Sequence, residues 1–339
     1  MRCVLITGAA GFIGGAAVGL FVEEGWHVLA LVHRRVTPDL ERLAARKAIT
    51  LLRGDAAEVT SFKADLMKAL GASKGTLDAI VHAAGRASDV GRAALFRRSH
   101  VESARALAGL ARELGVGRLV LVSTTDVYGL LDFQGEDEEA LPLRAFPDNP
   151  YPRHKIEAEA AVRRELPPAQ WAIIRPAAVW GAGDRTLTPR IVAFLRSSPW
   201  IVHFGRWRGR NRWPLAHVRN VAQALFLAAV SPRAGLTVNV LDDEVTTMDE
   251  FYRLLASIYL PGKTFKTVCL PFWVGQLAGA VVSRLSTLLN LDRPFADPSY
   301  YALYSVSRNL HFSNRRMREL FAEAGRRPVS REEGLKELA

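Results

Sequence analysis

Cysteine is scarce in this chain. Among 339 residues there are only Cys3 and Cys269, so no Cys cluster stands ready for zinc or another metal, and no disulfide framework staples the fold. A reducing, cytoplasmic setting is the natural expectation. Internal repeats of roughly 20 to 50 residues and low-complexity tracts are also missing, which removes solenoids and disordered linkers from consideration. A membrane-spanning run is imitated once. Residues 3–22 carry no charge and follow Arg2, but they include Gly8, Gly11, Gly14, Gly15 and Gly19. Glycines placed as turn residues behind a short β-branched run predict strand, turn and helix, in preference to an export signal or a span. No nucleic-acid module is recognisable, so the formal charge of +11, from 45 Lys and Arg against 34 Asp and Glu, is read as serving anionic cofactors, substrates or a membrane face, with no nucleic-acid partner.

With 49% hydrophobic and 23% charged residues, the chain has an ordinary globular composition and enough length for a sizeable core. Short apolar runs alternate with helix-like stretches through the first half. Strands are expected at residues 4–7, 27–32, 49–52, 78–83, 118–123 and 171–175, with helices over 12–24, 93–114 and 152–165 among them. Strands apolar on both faces, separated by helices, indicate a doubly wound α/β parallel sheet. Residues 1–178 are read as the dinucleotide-binding domain and 179–339 as a substrate-binding region. A helix-like run over 218–230 leads to the β-branched residues 237–241, so 215–245 is expected to return to the main sheet. The acidic run Glu136 to Glu139 is expected to be a solvated loop.

Thr7-Gly8-Ala9-Ala10-Gly11-Phe12-Ile13-Gly14 closes the first strand and opens the first helix. Glycine permits a tight turn and close approach of the backbone to a pyrophosphate, and the helix N-terminus offers free N–H groups to the anion. Gly8, Gly11, Phe12, Ile13 and Gly14 are the expected cofactor contacts. The second strand runs into His33-Arg34-Arg35, with no acid between Trp26 and Pro38. A free ribose 2′-hydroxyl usually meets a carboxylate here, whereas a 2′-phosphate favours arginine. The expectation is NADP(H), with NAD(H) the alternative; Arg34 is the favoured contact, with His33 or Arg35 assisting. Asp55 is placed to reach the adenine, and the small residues Ala83, Ala84 and Gly85 after His82 leave room for the cofactor.

Asn149-Pro150-Tyr151-Pro152-Arg153-His154-Lys155 carries the sharpest chemistry. With a helix starting near Pro152, Tyr151 and Lys155 lie one turn apart and share a face. A phenol acting as acid or base near neutrality needs a cation that favours the phenolate, and Lys155, with the oxidised nicotinamide, would supply it. Ser123-Thr124-Thr125 offers hydroxyls for the substrate oxygen.

In order, TGAAGFIG, VHAAG, VSTTDVYG, YPRHK and IIRPAAVWGAGD resemble the extended short-chain dehydrogenase/reductase family of the epimerase/dehydratase type, over essentially the whole chain. The resemblance implies a Rossmann-type fold, Tyr151 as acid/base, Lys155 as its electrostatic partner and ribose anchor, and Thr124 as the substrate-orienting hydroxyl, with Ser123 the alternative. It also implies cofactor contacts at Tyr151, Lys155 and Pro176. His100 stands where many relatives carry asparagine. Thr125-Asp126 departs from the Asp-Glu pair of dehydratase-like members, while residues 217–225 and 307–320 are similar to the 3β-hydroxysteroid dehydrogenase-like branch.

The expected function is oxidoreduction between a secondary alcohol and a ketone on a hydrophobic, sterol-like or 3-oxo/3-hydroxy lipid substrate. A nucleotide-sugar epimerase or reductase is the second reading and a non-catalytic NADP-responsive binding protein the third. Residues 270–282 are uncharged and suit a buried helix, a lipophilic wall or a peripheral membrane contact. Arg206 to Trp213 packs four arginines and two tryptophans, suited to phosphates and rings or simply to a solvated basic loop. The resemblance leaves a homodimer open.

Overall fold

The computed structural model describes residues 2–73, 75–86, 92–146, 149–278 and 300–338. Its strands are β1 (Cys3–Thr7), β2 (His27–Val32), β3 (Ile49–Arg53), β4 (Ala79–His82), β5 (Arg118–Val122), β6 (Phe133–Glu136), β7 (Trp171–Pro176), β8 (Ala178–Trp180), β9 (Trp200–Phe204), β10 (Leu215–His217), β11 (Leu236–Val240), β12 (Lys266–Leu270) and β13 (Leu310–Phe312). Seven of them form one parallel sheet in the order β11-β7-β5-β4-β1-β2-β3. The chain winds outward through β1, β2 and β3, then returns to the other side of β1 as β4. That reversal leaves a crevice at the carboxyl ends of β1 and β4, where open α/β sheets bind ligands.

Strand alternation explains the two-sided burial. In β1, Val4 and Ile6 join one apolar cluster and Cys3 and Leu5 the other, all of them buried. On the first face the helices Phe12–Glu23 and Val218–Val230 pack together, with Phe21, Trp26 and Phe226 in mutual edge-to-face contact. On the second lie Leu107 of the helix Ser103–Glu113 and Val162 of the helix Pro150–Glu165. Each such fully buried side chain contributes about 1.5–3 kcal/mol.

Three expectations are corrected. The helix expected over 93–114 is broken: a four-residue turn Ala93–Phe96 runs into a π-helical stretch Arg97–Glu102 before the helix Ser103–Glu113 begins. π-helical turns re-aim side chains and are frequent at functional sites. The helix expected from Pro152 begins at Pro150, because the Asn149 side chain accepts from Tyr151 N at 2.8 Å and caps it. The acidic run is not a solvated loop throughout. Glu138 is buried and accepts from Asn239 N of β11 at 2.6 Å, while Asp137 and Glu139 pair with Arg315 and Arg316.

Beside the main sheet lie three small parallel pairs: β8 with β10, β9 with β12, β6 with β13. Asp132 ties them, accepting from Arg206 Nη2 at 2.6 Å, Trp207 Nε1 at 2.7 Å and Asn309 N at 2.8 Å. Trp213 is buried against Phe251, and Arg208, Arg210 and Arg212 remain exposed. Of the uncharged run 270–282, residues 279–282 lie outside the described residues; Trp273 and Leu277 are exposed. Among the described residues no helix is long and apolar enough to cross a membrane.

Candidate active site

The glycine turn forms a cradle that other residues would fill. Gly8 has φ +69°, and a Cβ there would sit 2.7 Å from the backbone of Ala84. A Cβ on Gly14 would lie 2.1 Å from the Gly8 carbonyl oxygen. Gly11 is the exposed N-cap of the Phe12–Glu23 helix and brings no side chain to cap it, so N–H groups of the first turn stay available to an anion. Phe12 and Ile13 are partly buried in that turn. Beneath the cradle, Thr7 Oγ1 meets His82 Nδ1 at 2.8 Å and accepts from Ala84 N at 3.2 Å, and His82 Nε2 meets Ser103 Oγ at 2.9 Å. Burial, helped by the charge of Lys155, pushes His82 down to about 3. The neutral ring therefore locks the ends of β1 and β4 together through hydrogen bonds alone.

Past β2, His33, Arg34 and Arg35 are exposed, and among the described residues neither arginine makes a hydrogen bond or ion pair. Asp55 stands at the same edge. Burial opposes its ionisation, but the Ala57 N–H and the Arg98 guanidinium outweigh that and hold it below the usual carboxylate range. Its Oδ2 accepts from Arg98 Nη2 at 2.8 Å, an arginine that the sequence did not single out. Ala83 and Ala84 border Gly8, and Gly85 lies against the His100 ring, whose Cε1 would be 2.5 Å from an added Cβ. Pro176 ends β7 beside Val240 of β11.

Tyr151 and Lys155 meet at the end of β5. Lys155 Nζ donates to the Val122 carbonyl oxygen at 2.7 Å and lies 5.8 Å from the Tyr151 ring centroid. Burial pulls the ammonium down to about 8, against the supporting charge of Glu159. The Thr124 hydroxyl accepts from Asp126 N at 3.2 Å and hydrogen-bonds the Tyr151 phenol. Ser123 is turned away: its Oγ donates to Glu159 Oε1 at 2.6 Å in the buried interior. Of the two hydroxyls weighed, Thr124 is the one beside the phenol.

Burial raises the Tyr151 pKa, the Asp126 charge raises it further, and the Thr124 hydrogen bond only partly opposes them. Lys155 stands off the ring and spends a proton on Val122. His100, edge-on to Tyr151 at 5.5 Å between ring centroids, is neutral, pushed to about 2 chiefly by burial and then by Lys155.

Sequence reading missed two parts of the site. Beneath it, Glu159 accepts from Arg175 Nε at 2.8 Å and Nη2 at 2.6 Å, and Arg175 Nη1 donates to the Tyr128 hydroxyl at 2.7 Å. Glu159 lies one helical turn beyond Lys155, a spacing that could have drawn attention to it. Above it, Tyr301 hydrogen-bonds Asp126, and its ring is followed by Phe146, Tyr304 and Phe272 at centroid separations of 5.6, 5.3 and 4.8 Å. Arg308 covers both Phe272 and Tyr304. No local signal places these rings together, since Phe146 and Tyr301 are far apart in the chain.

Comparison with known proteins identifies the family. The family described as NAD dependent epimerase/dehydratase matches residues 4–241. The chain is 25% identical over 339 residues, covering 98% of it and 94% of the relative, to the 4-hydroxy-2-methyl-3-oxo-4-farnesyl-3,4-dihydroquinoline-1-oxide ketoreductase of Stigmatella aurantiaca. It is 29% identical over 241 residues, 68% of the chain and 65% of the relative, to the decarboxylating sterol-4-alpha-carboxylate 3-dehydrogenase of Candida albicans. Among solved structures, dTDP-glucose 4,6-dehydratase from Bacillus anthracis in complex with NAD superposes with TM-score 0.70 and 18% identity, covering 100% of this chain and 95% of that one. The chain therefore belongs to the NAD dependent epimerase/dehydratase family and is an NAD(P)-dependent enzyme of the extended short-chain dehydrogenase/reductase type.

Proposed function

We propose that the protein is an NADP(H)-dependent oxidoreductase that interconverts a secondary alcohol and a ketone on a hydrophobic substrate. The observation that carries this reading is the convergence of Tyr151, Thr124 and Lys155 at the end of β5, on the sheet edge that also bears the Gly8 and Gly14 cradle. A bound nicotinamide supplies or takes the hydride. The chain's own residues do the rest. Gly8, Gly11 and Gly14 admit the pyrophosphate, Arg34 and Arg35 hold the 2′-phosphate, and Lys155 anchors the ribose. Thr124 orients the substrate oxygen, and Tyr151 passes the proton to it or takes it back.

An apolar substrate fits the wall formed by Phe146, Tyr301, Tyr304 and Phe272. The farnesylated and sterol substrates in the relatives' names support it. The basic loop favours a nucleotide-sugar less, because Arg206 and Trp207 are spent on Asp132 and Trp213 is buried.

Three experiments test this. Tyr151→Phe should lower turnover by about 10²–10⁴-fold with cofactor affinity retained; turnover near wild type would refute the assignment. A panel of hydroxysteroids, 3-oxo lipids and UDP- or dTDP-sugars, assayed by NADPH consumption, separates the substrate classes. For the cofactor, Arg34→Ala should weaken NADPH binding by about tenfold, one charge-assisted contact, while leaving NADH unchanged. Equal losses for both cofactors would remove the 2′-phosphate role.

A further inference from the structure

Two large apolar side chains stand exposed beside an arginine loop, outside the candidate active site. Residues 272–278, helical and one residue beyond β12, carry Trp273 and Leu277, which are 63% and 59% exposed. Gly275 decides their direction. It is buried, and a Cβ there would meet Leu303 at 2.7 Å and Phe204 at 2.9 Å, so this side of the helix is pressed onto the protein. Two residues to either side is a rotation of about 200° at 3.6 residues per turn, which turns Trp273 and Leu277 outward together.

The arginine loop adjoins this helix. Gly205 N donates to the Leu270 carbonyl oxygen at 2.9 Å, and the Arg208 carbonyl oxygen lies 4.0 Å from Cys269 Sγ. Gly209 pins the loop: it is buried against the His203 ring, and its carbonyl oxygen accepts from Asp249 N at 3.0 Å. Arg208 and Arg210 flank that anchor and are exposed, and among the described residues neither side chain makes a hydrogen bond or ion pair. Residues 206–213 contain no acid. The carboxylates of Asp132 and Asp249 beside the loop are engaged by Arg206 and Trp207, and by His203 and Arg253. The patch therefore presents apolar surface next to uncompensated positive charge. An indole and an aliphatic side chain partition into the headgroup boundary of a bilayer, and guanidinium groups meet anionic lipid there. The patch also continues the apolar wall, because Phe272, the neighbour of Trp273, stands edge-on to Tyr304 at 4.8 Å between ring centroids.

We propose that Trp273 and Leu277, together with Arg208 and Arg210, form a docking face for an anionic lipid bilayer. The contact is peripheral and reversible, made by side chains at the surface. A substrate dissolved in the bilayer then reaches the wall at Phe272 without crossing water. That delivery step rests on the hydrophobic-substrate reading; the docking itself does not.

Co-sedimentation of the full chain with vesicles made of equal parts phosphatidylcholine and phosphatidylglycerol tests the proposal, with pure phosphatidylcholine vesicles for comparison. The mixed vesicles should bind the protein and the pure ones bind it far less. Combining Trp273→Asp with Leu277→Asp should weaken binding to the mixed vesicles by about a hundredfold. Combining Arg208→Gln with Arg210→Gln should weaken it by about tenfold. Melting temperature and NADPH affinity should stay near wild type in both double variants, since none of the four residues belongs to the candidate active site. No affinity of the wild type for the mixed vesicles, or binding undiminished in both double variants, overturns the proposal. Two readouts without lipid test other occupants of the face. If the aspartate pair converts a dimer to a monomer in sedimentation velocity, a second copy covers the patch; if Trp273→Phe leaves acrylamide quenching of the fluorescence unchanged, the indole is already covered. Either result also overturns the lipid assignment. If the protein binds the vesicles but the substrate panel selects nucleotide sugars, the hydrophobic-substrate reading fails and the docking stands.

Discussion

The seven-stranded sheet and the two-stranded pairs β8–β10, β9–β12 and β6–β13 are held together by different physics. In the sheet, continuous apolar strands bury both faces, and each strand finds its neighbour through a repeating backbone register. The small pairs are joined by individual polar contacts, such as Asp132 with Arg206, Trp207 and Asn309. Redundancy protects the first region, and single side chains hold the second. Local damage should therefore spread differently in the two.

The largest effect is expected where the sheet half carries charge. Glu159 is fully buried and serves Ser123, Arg175 and Arg163. Glu159→Ala leaves Arg175 buried without its anion, and urea unfolding should show a loss of about 3–5 kcal/mol. A loss below 1 kcal/mol would mean that this network adds nothing to the apolar core. Asp132→Ala should cost less, about 1–3 kcal/mol, and its signature should be local, with faster hydrogen exchange over residues 206–213 and 308–312 than in β1 or β5. Uniform acceleration would erase the distinction between the regions.

The smallest effect, read between pH 7.5 and 5.5, is a matter of pH. His82 titrates near 3 in the folded protein against an ordinary 6.5. Below about 6.5 the unfolded chain therefore takes up a proton that the folded one refuses. Stability is complete above that pH and falls as pH drops toward 3, at a slope of about 1.4 kcal/mol per pH unit. Urea titrations at pH 7.5 and 5.5 measure it. His82→Gln should flatten the slope, and an unchanged slope would show that other groups are responsible.

The same contrast governs what could be read from the sequence. The strands of the dinucleotide half announce themselves through β-branched apolar runs, and Gly8, Gly11 and Gly14 through their place between strand and helix. Tyr151 and Lys155 are visible because a helical turn brings four-residue neighbours together. Glu138 misled because acidic runs are usually solvated, and only a partner about a hundred residues away, Asn239, reveals its burial. The π-helical stretch at Arg97 leaves no periodic signature, and the aromatic wall depends on Phe146 meeting Tyr301, a contact that no local pattern encodes.

The parallel pairing of β6 with β13 also fixes an order of events during synthesis. The sheet is complete once Val240 has emerged, but Phe133 waits for Leu310 before its strand has a partner. A growing chain can thus assemble a nucleotide cradle on the ribosome while the apolar wall beside Asp126 is still missing, since Tyr301 has yet to be made. Until then the nascent site is open to water, so the protein becomes competent to hold its cofactor before it can shelter a substrate.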